Sequence, residues 1–197
     1  MQNMKTIALT ICFCYLLFSC GEVQVRKSVY NSIPLQKGKK LDLVYKDPNL
    51  DFKSYDGLIV KKTAAEVPTT DVVPSESVAD AISSALYEEI KGAGIFKDVK
   101  KEGQEVTLKY LVLETSLTEL NPGSGAKRYL IGFGAGASNI QVEGKIVDPT
   151  TNKTLFAYVD RRAGWIGVFG GRSRSLILDD AIAHAKDVAE ELQSSTP

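Results

Sequence analysis

The stretch that decides the fold is NIQVEGKIVDPTTNKTLFAYVD, residues 139–160. In its first half apolar and polar residues alternate, as they do in a strand with one face against a core. The inward set is Ile140, Val142 and Ile146, and the outward set is Gln141, Glu143 and Lys145. Residues 148–153 are rich in turn formers, and residues 154–160 return as a second strand. The stretch therefore predicts a β-hairpin.

Three further segments extend this hairpin into a sheet. Residues 106–120 carry apolar side chains on both faces through their middle, which indicates a central strand. The run Leu58-Ile59-Val60 follows a turn signal at Tyr55-Asp56-Gly57 and predicts a buried strand. A short first strand is predicted over residues 40–45, because Asp47-Pro48-Asn49 then interrupts the chain.

Two amphipathic helices complete the predicted domain. The first begins near Ser77, where Asp80 three residues on resembles a capping box, and Gly92 and Gly94 end it. The second spans residues 178–194, with Asp179-Asp180 placed at its positive N-terminal end. Their apolar faces are formed by Val78, Ile82, Ala85, Leu86 and Ala93, and by Leu178, Ala181, Ile182, Ala185, Val188, Ala189 and Leu192.

Length and composition suit one such domain. The chain has 197 residues, of which 44% are hydrophobic and 24% charged, which is enough to build a core. The predicted fold is a single α/β (α+β) domain over residues 41–195. Its sheet is mixed but mostly antiparallel, and two amphipathic helices pack on one face.

The N-terminus has the pattern of an export signal. Lys5 precedes an apolar run over residues 6–18, which is too short to span a bilayer. Ser19-Cys20 follows, with Leu17 before it, and this looks like a bacterial lipobox. We expect a signal peptide over residues 1–19, acylation of Cys20, and a tether over residues 20–40. The alternative is an ordinary cleaved signal with a chance cysteine.

The lipobox also predicts a location. Gly21 rather than Asp follows Cys20, which favours the outer membrane, with the domain facing the periplasm. The membrane is then a partner through the N-terminal lipid. The three cysteines are Cys12, Cys14 and Cys20, so the mature chain is expected to have no disulfide despite its oxidising destination.

Charge and titratable residues argue against several functions. The 24 basic and 24 acidic residues cancel, whereas nucleic-acid binders carry a basic field. The single histidine, His184, has no second ligand near it in sequence and is expected to be an exposed helix residue. We therefore predict no metal, no cofactor and no catalytic residue, and a protein that is not an enzyme. An enzyme would need a pocket that gathers Asp160, Arg161, Arg162 or His184.

Two glycine-rich stretches, residues 129–137 and 163–171, flank the hairpin. Counting outward from the turn, position 136 falls opposite about 166, so both stretches meet at one end of the hairpin. A phosphate cradle needs a glycine-rich turn that opens a helix, but the first stretch opens into a strand. Two interpretations stay open. The glycines let a strand bend beneath the helices and the arginines are solvated, or this end contacts a membrane or partner. The candidate contact residues are Gly132, Phe133, Gly134, Gly136, Trp165, Phe169, Arg161, Arg162 and Arg172.

The run Gly132-Phe133-Gly134-Ala135-Gly136, leading into residues 142–148 and then Thr150 and Lys153-Thr154-Leu155, resembles a bacterial lipoprotein family. That family is catalogued as domain of unknown function 4410, and the resemblance covers about residues 40–195. It implies the fold and the lipobox at Cys20 but no catalytic residue. A second likeness, of architecture only, is to envelope lipoproteins of the curli-secretion type.

These observations predict a lipid-anchored protein of the bacterial cell envelope that acts as a non-enzymatic binding or assembly module. The alternative is a subunit of an oligomeric secretion or pore complex. In that case the glycine-rich hairpin end contacts the membrane or sister subunits. Sister copies or other envelope proteins are the expected protein partners.

Overall fold

The computed structural model describes residues 28–69, 74–106, 109–121, 138–164 and 173–195. Within these ranges the chain forms one eight-stranded mixed sheet and two long helices, which confirms the predicted fold class. The strands are β1 (Gln36–Lys37), β2 (Leu43–Lys46), β3 (Gly57–Val60), β4 (Ala64–Ala65), β5 (Val99–Lys101), β6 (Tyr110–Asn121), β7 (Ser138–Asp148) and β8 (Lys153–Gly164). The helices are α1 (Ser75–Ala93) and α2 (Ser173–Gln193).

The sheet has an antiparallel half and a parallel half. Its order is β1-β2-β8-β7-β6-β3-β5, with β4 also pairing with β6. The strands β1, β2, β8, β7 and β6 are antiparallel neighbours. The strand β3 runs parallel to both β5 and β6, and α1 supplies the crossover that a parallel connection requires.

The hairpin β7–β8 is the predicted one, slightly longer at both ends. Asp148 pairs with Lys153 across the turn, and the Asp148 Oδ1 accepts a hydrogen bond from the Thr150 N–H at 2.8 Å. Asn152 has a φ of 54°, which asparagine tolerates better than other non-glycine residues. The turn therefore forms without the glycine that would be more usual there.

Both helices pack against one another and against one face of the sheet, here called the helix face. Fully buried side chains of α1 and α2, such as Ile82, Leu86 and Val188, meet strand residues such as Leu113 and Ile146. The alternation predicted for β7 holds, because Ile140, Val142 and Ile146 belong to this core. Burial of these side chains is the main stabilising term of the fold.

The helix starts differ from the predicted ones. The helix α1 begins at Ser75 after Pro74, and the Ser77 N–H already donates to the Pro74 carbonyl, so Ser77 is not the cap. Gly94 ends α1 in a left-handed conformation, as predicted, whereas Gly92 lies inside the helix. The helix α2 begins at Ser173, so Asp179 and Asp180 lie beyond its first turn and do not cap it.

The other face of the sheet, here called the outer face, is not a solvated face. Gln141 and Glu143 point away from the helices as predicted, yet they are 1% and 0% exposed. Residues 28–35, here called the N-terminal strap, contact Glu143, because Ser28 and Val29 bond to its carboxylate. The part of the expected tether from Ser28 onward therefore lies against the domain. No helix in the described ranges has the length and hydropathy to cross a membrane.

Candidate functional site

The predicted contact surface lies mostly outside the described residues. This applies to Gly132, Phe133, Gly134, Gly136, Trp165, Phe169 and Arg172, and to Cys20. The strand ends that flank the two glycine-rich stretches are described, however. Asn121 of β6 pairs with Asn139, and Ser138 of β7 pairs with Gly164 of β8. Both stretches therefore leave the sheet from the same end, as the register count predicted.

Arg161 and Arg162 are adjacent on β8 and point to opposite faces of the sheet. On the outer face, the Arg161 Nε donates to the Glu119 Oε2 at 2.8 Å. A register shift after Leu117 turns Glu119 toward this face, opposite Gln141. The Arg161 N–H also donates to the Asp42 Oδ2 at 2.8 Å. Arg161 is thus an ion-paired side chain that is 17% exposed, not a solvated one.

Arg162 lies on the helix face and links β8 to α2. Its Nε donates to the Asp160 Oδ2 at 2.8 Å, and its guanidinium also binds the carboxylate of Asp187 on α2. The Arg162 side chain is only 20% exposed. The prediction that the arginines near the glycine-rich stretches are solvated is therefore wrong for Arg161 and Arg162.

His184 is fully buried, and the prediction of an exposed helix residue is wrong. Its Nδ1 lies 2.8 Å from the Asp160 Oδ2, and its Nε2 lies 3.3 Å from the Tyr158 hydroxyl. The sequence carried the signal for burial, because position 184 lies three residues after Ala181 and four before Val188. Both of those residues face the core.

One row of hydrogen bonds thus links β8 to α2. This row, here called the β8–α2 polar row, consists of Tyr158, Asp160, Arg162, His184 and Asp187. Burial alone would raise the pKa of Asp160, but the hydrogen bond from His184 and the charge of Arg162 outweigh it and lower that pKa. Burial raises the pKa of the Tyr158 hydroxyl. The row brings together three of the four residues that an enzymatic site would have needed and leaves Arg161 on the other face.

Asp180 lies beside this row on α2. Burial raises the pKa of its carboxyl group, and its Oδ2 has no hydrogen-bond partner among the described residues. Within the same residues, no group of three or more His, Cys, Asp or Glu side chains has the arrangement of a metal site. The observed use of the row is to fasten α2 to β8.

Two buried glutamates hold the N-terminal part of the chain. The Glu143 Oε2 accepts hydrogen bonds from the Ser28 Oγ at 2.5 Å and the Val29 N–H at 2.9 Å. Its Oε1 accepts hydrogen bonds from the Thr118 Oγ1 and the Gln141 Nε2, each at 3.0 Å. Four donors therefore surround a carboxylate at the centre of the sheet, which offsets the cost of burying it.

Glu191, fully buried on α2, is the second of these glutamates. Its Oε2 accepts hydrogen bonds from the N–H groups of Lys39 and Lys40 at 2.9 and 2.7 Å, and its Oε1 binds the Lys46 ammonium at 2.8 Å. The neighbouring Glu190 makes a surface ion pair with Lys40. Both sets of contacts, of Glu143 and of Glu191 with the N-terminal part of the chain, are here called clamps. The sequence analysis did not predict them, because a glutamate in a strand or helix is usually expected to face solvent.

Comparison with solved structures gave faint likenesses. The chain is similar to a PelC dodecamer from Paraburkholderia phytofirmans, at 16% identity and a TM-score of 0.47, over 73% of this chain and 94% of that one. It is also similar to a DUF330 protein from Xanthomonas campestris, at 10% identity and a TM-score of 0.43, over 73% of this chain and 87% of that one. Both likenesses are too remote to carry function to this chain.

A search of curated proteins gave no match. A family model does match, over residues 52–168, which is more than half of the chain. The matched range includes α1, the hairpin β7–β8, the first glycine-rich stretch and most of the second. The family is one described as a domain of unknown function, and the model confirms the resemblance that the glycine run and hairpin indicated. The chain belongs to the DUF4410 family.

Proposed function

We propose that the chain is a lipid-anchored protein of the bacterial cell envelope that acts as a non-enzymatic binding or assembly module. The lipobox at Cys20 supports the anchor, and Gly21 supports the outer membrane, facing the periplasm. The observation that carries the proposal is the clamping of the strap by Glu143. It fixes the chain to the domain eight residues after Cys20, so that an anchor there would hold the domain close to the membrane.

The contact surface of this module is the end of the sheet from which residues 122–137 and 165–172 leave. The pairing of Ser138 with Gly164 supports this, because the first segment ends and the second begins at these two neighbouring positions. Trp165 and Phe169 supply apolar area in one segment and Phe133 in the other. In the alternative form of the proposal, this end joins sister subunits of an oligomeric secretion or pore complex.

A structural role of the β8–α2 polar row supports a non-enzymatic function. Asp160, Arg162 and His184 bind one another and hold α2 in place. Such buried networks are commonly a means of specifying one packing arrangement. The proposal therefore assigns these side chains to the fold and assigns binding to the glycine-rich end.

The solution mass of the full chain, purified from membranes in detergent, tests the contact surface. The oligomeric alternative predicts a mass above that of one chain, and a shift toward the monomer in a Trp165→Ser, Phe169→Ser double variant. Ile182→Ser is the matched control, because Ile182 is a 52% exposed apolar residue on α2 that belongs to neither glycine-rich stretch. That variant should keep the wild-type mass.

A monomeric wild type would contradict the oligomeric alternative. Cross-linking in whole cells then tests binding to other envelope proteins. Adducts that are lost in the double variant but kept in Ile182→Ser would support the glycine-rich end as the binding surface. Adducts that are unchanged in both variants would contradict it.

A further inference from the structure

The N-terminal strap is held differently from the chain that follows it. Residues 28–35 pair with no strand, and their backbone hydrogen bonds are local, such as the Ile33 N–H to the Tyr30 carbonyl at 2.9 Å. Val29 is 51% exposed. The next residues, in contrast, pair with β2 through β1 and donate to Glu191 through Lys39 and Lys40. Segments with few ladder bonds and exposed apolar groups open at lower free energy than their neighbours.

The main polar attachment of the strap is the Glu143 carboxylate. Two of the four donors to Glu143 belong to the strap, namely the Ser28 hydroxyl and the Val29 N–H. The other two, from Thr118 and Gln141, belong to the sheet and would stay in place. If the strap lifts, water reaches the carboxylate and replaces the lost donors. Release therefore exchanges hydrogen bonds with water and does not leave a buried charge unpaired.

The position of this attachment sets the maximum distance between Cys20 and the domain. Ser28 is the eighth residue after Cys20, and a fully extended chain spans at most about 3.6 Å per residue, so the tether reaches about 29 Å. When the strap is released, the first fixed point becomes Gln36 of β1, sixteen residues from Cys20. The maximum reach then doubles to about 58 Å.

We propose that Ser28, Val29 and Glu143 form a releasable latch that sets how far the domain can stand from the membrane. This inference rests on the lipid anchor at Cys20. With the latch closed, the domain stays near the membrane surface. With the latch open, the strap joins the tether, while β1 and Glu191 keep the rest of the fold intact.

Hydrogen exchange on the full chain tests the latch itself, and it does not depend on acylation. We expect Glu143→Gln to raise the exchange rate of residues 28–35 by about tenfold or more, because bonds to a charged acceptor are lost. Ser28→Ala removes the donor to Glu143 and the acceptor of the Tyr30 N–H, but no charge. It should raise the exchange rate of residues 28–35 severalfold, at amides other than Tyr30 as well. Exchange in β2 and β8 should not change. The matched controls are Ser32→Ala on the exposed part of the strap and Glu190→Gln on α2.

Neutron reflectometry on the acylated chain, bound to a supported bilayer of phosphatidylethanolamine and phosphatidylglycerol, tests the reach. The protein layer should extend further from the bilayer in Ser28→Ala and Glu143→Gln, by at most about 29 Å, and should not change in Ser32→Ala. Exchange in 28–35 that is unchanged by Ser28→Ala and Glu143→Gln would overturn the latch. Faster exchange with an unchanged layer would overturn its control of distance. A chain that carries no lipid but shows faster exchange would overturn the anchor, and the reach proposal with it, while the latch contact stands.

Discussion

His184 Nδ1 lies 2.8 Å from the Oδ2 of Asp160, and both residues are buried between β8 and α2. The same carboxylate oxygen accepts a hydrogen bond from the Arg162 Nε. Asp160 therefore provides a hydrogen-bond partner for both the His184 ring and the Arg162 guanidinium. This single carboxylate is the centre of the β8–α2 polar row.

Asp160→Asn should lower the free energy of unfolding by about 3 kcal/mol, because removing one member of a buried pair leaves the partner uncompensated. Urea denaturation of the purified chain at neutral pH measures this loss. Asp187→Asn is the control, because Asp187 binds the same guanidinium but is 29% exposed, and it should cost about 1 kcal/mol or less. Equal, small losses in the two variants would show that the row does not hold α2.

Glu191 should make the stability depend on acidity. Burial alone would raise the pKa of Glu191. The Lys46 ammonium and the N–H groups of Lys39 and Lys40 outweigh this effect, so the pKa of Glu191 lies below its ordinary 4.5. The stabilisation is therefore complete above pH 4.5 and is lost as the pH falls through the lower folded-state value. Glu191→Gln should cost about 3 kcal/mol at pH 7, and the difference from wild type should narrow on acidification below pH 4.5.

The matched variant for this measurement is Glu190→Gln, in which the same change is made at a neighbour that is 34% exposed and pairs with Lys40 at the surface. It should have little effect on stability at pH 7. If Glu191→Gln and Glu190→Gln gave the same pH profile, the clamp on residues 39–40 would not contribute to stability.

Two glycines should respond to alanine in opposite directions. A Cβ on Gly144 would lie 2.4 Å from the Tyr158 Cε1, so Gly144→Ala should destabilise the fold by about 1–3 kcal/mol or more. A Cβ on Gly92, within α1, would meet no atom within 4 Å, so Gly92→Ala should stabilise by up to about 1 kcal/mol. Thermal unfolding tests both predictions, because the midpoint temperature should fall in Gly144→Ala and rise in Gly92→Ala. A neutral Gly144→Ala would contradict the close packing of Tyr158 on β7.

Much of the fold could be predicted from period and turn chemistry. The hairpin β7–β8 follows from strict alternation and the turn at Asp148, and the end of α1 follows from Gly94. The helix starts could not, because Ser77 and Asp179-Asp180 fit capping patterns but lie inside the helices. A local capping pattern does not show whether the preceding residues are already helical.

The clamps could not be predicted for a different reason. Glu143 bonds to Ser28 across 115 positions of sequence, and Glu191 bonds to Lys39 across 152. Contacts at such separation do not change the alternation of polar and apolar residues in the sequence. A polar residue on the outer side of a strand fits that alternation whether water or the N-terminal strap covers it. His184 shows the converse. Its polarity led to the wrong prediction of exposure, although its helical spacing from the buried Ala181 and Val188 indicates burial.

The intact mass of the mature chain, purified from the membranes of a Gram-negative host, tests the central claim most directly. The account predicts a chain that begins at Cys20 and carries a diacylglyceryl group on its sulfur and an acyl group on its amine. Cys14→Ala should leave this mass unchanged, since residue 14 is removed with the signal, whereas Cys20→Ala should abolish the modification. A mature chain that begins elsewhere, or that begins at Cys20 without lipid, would contradict the account.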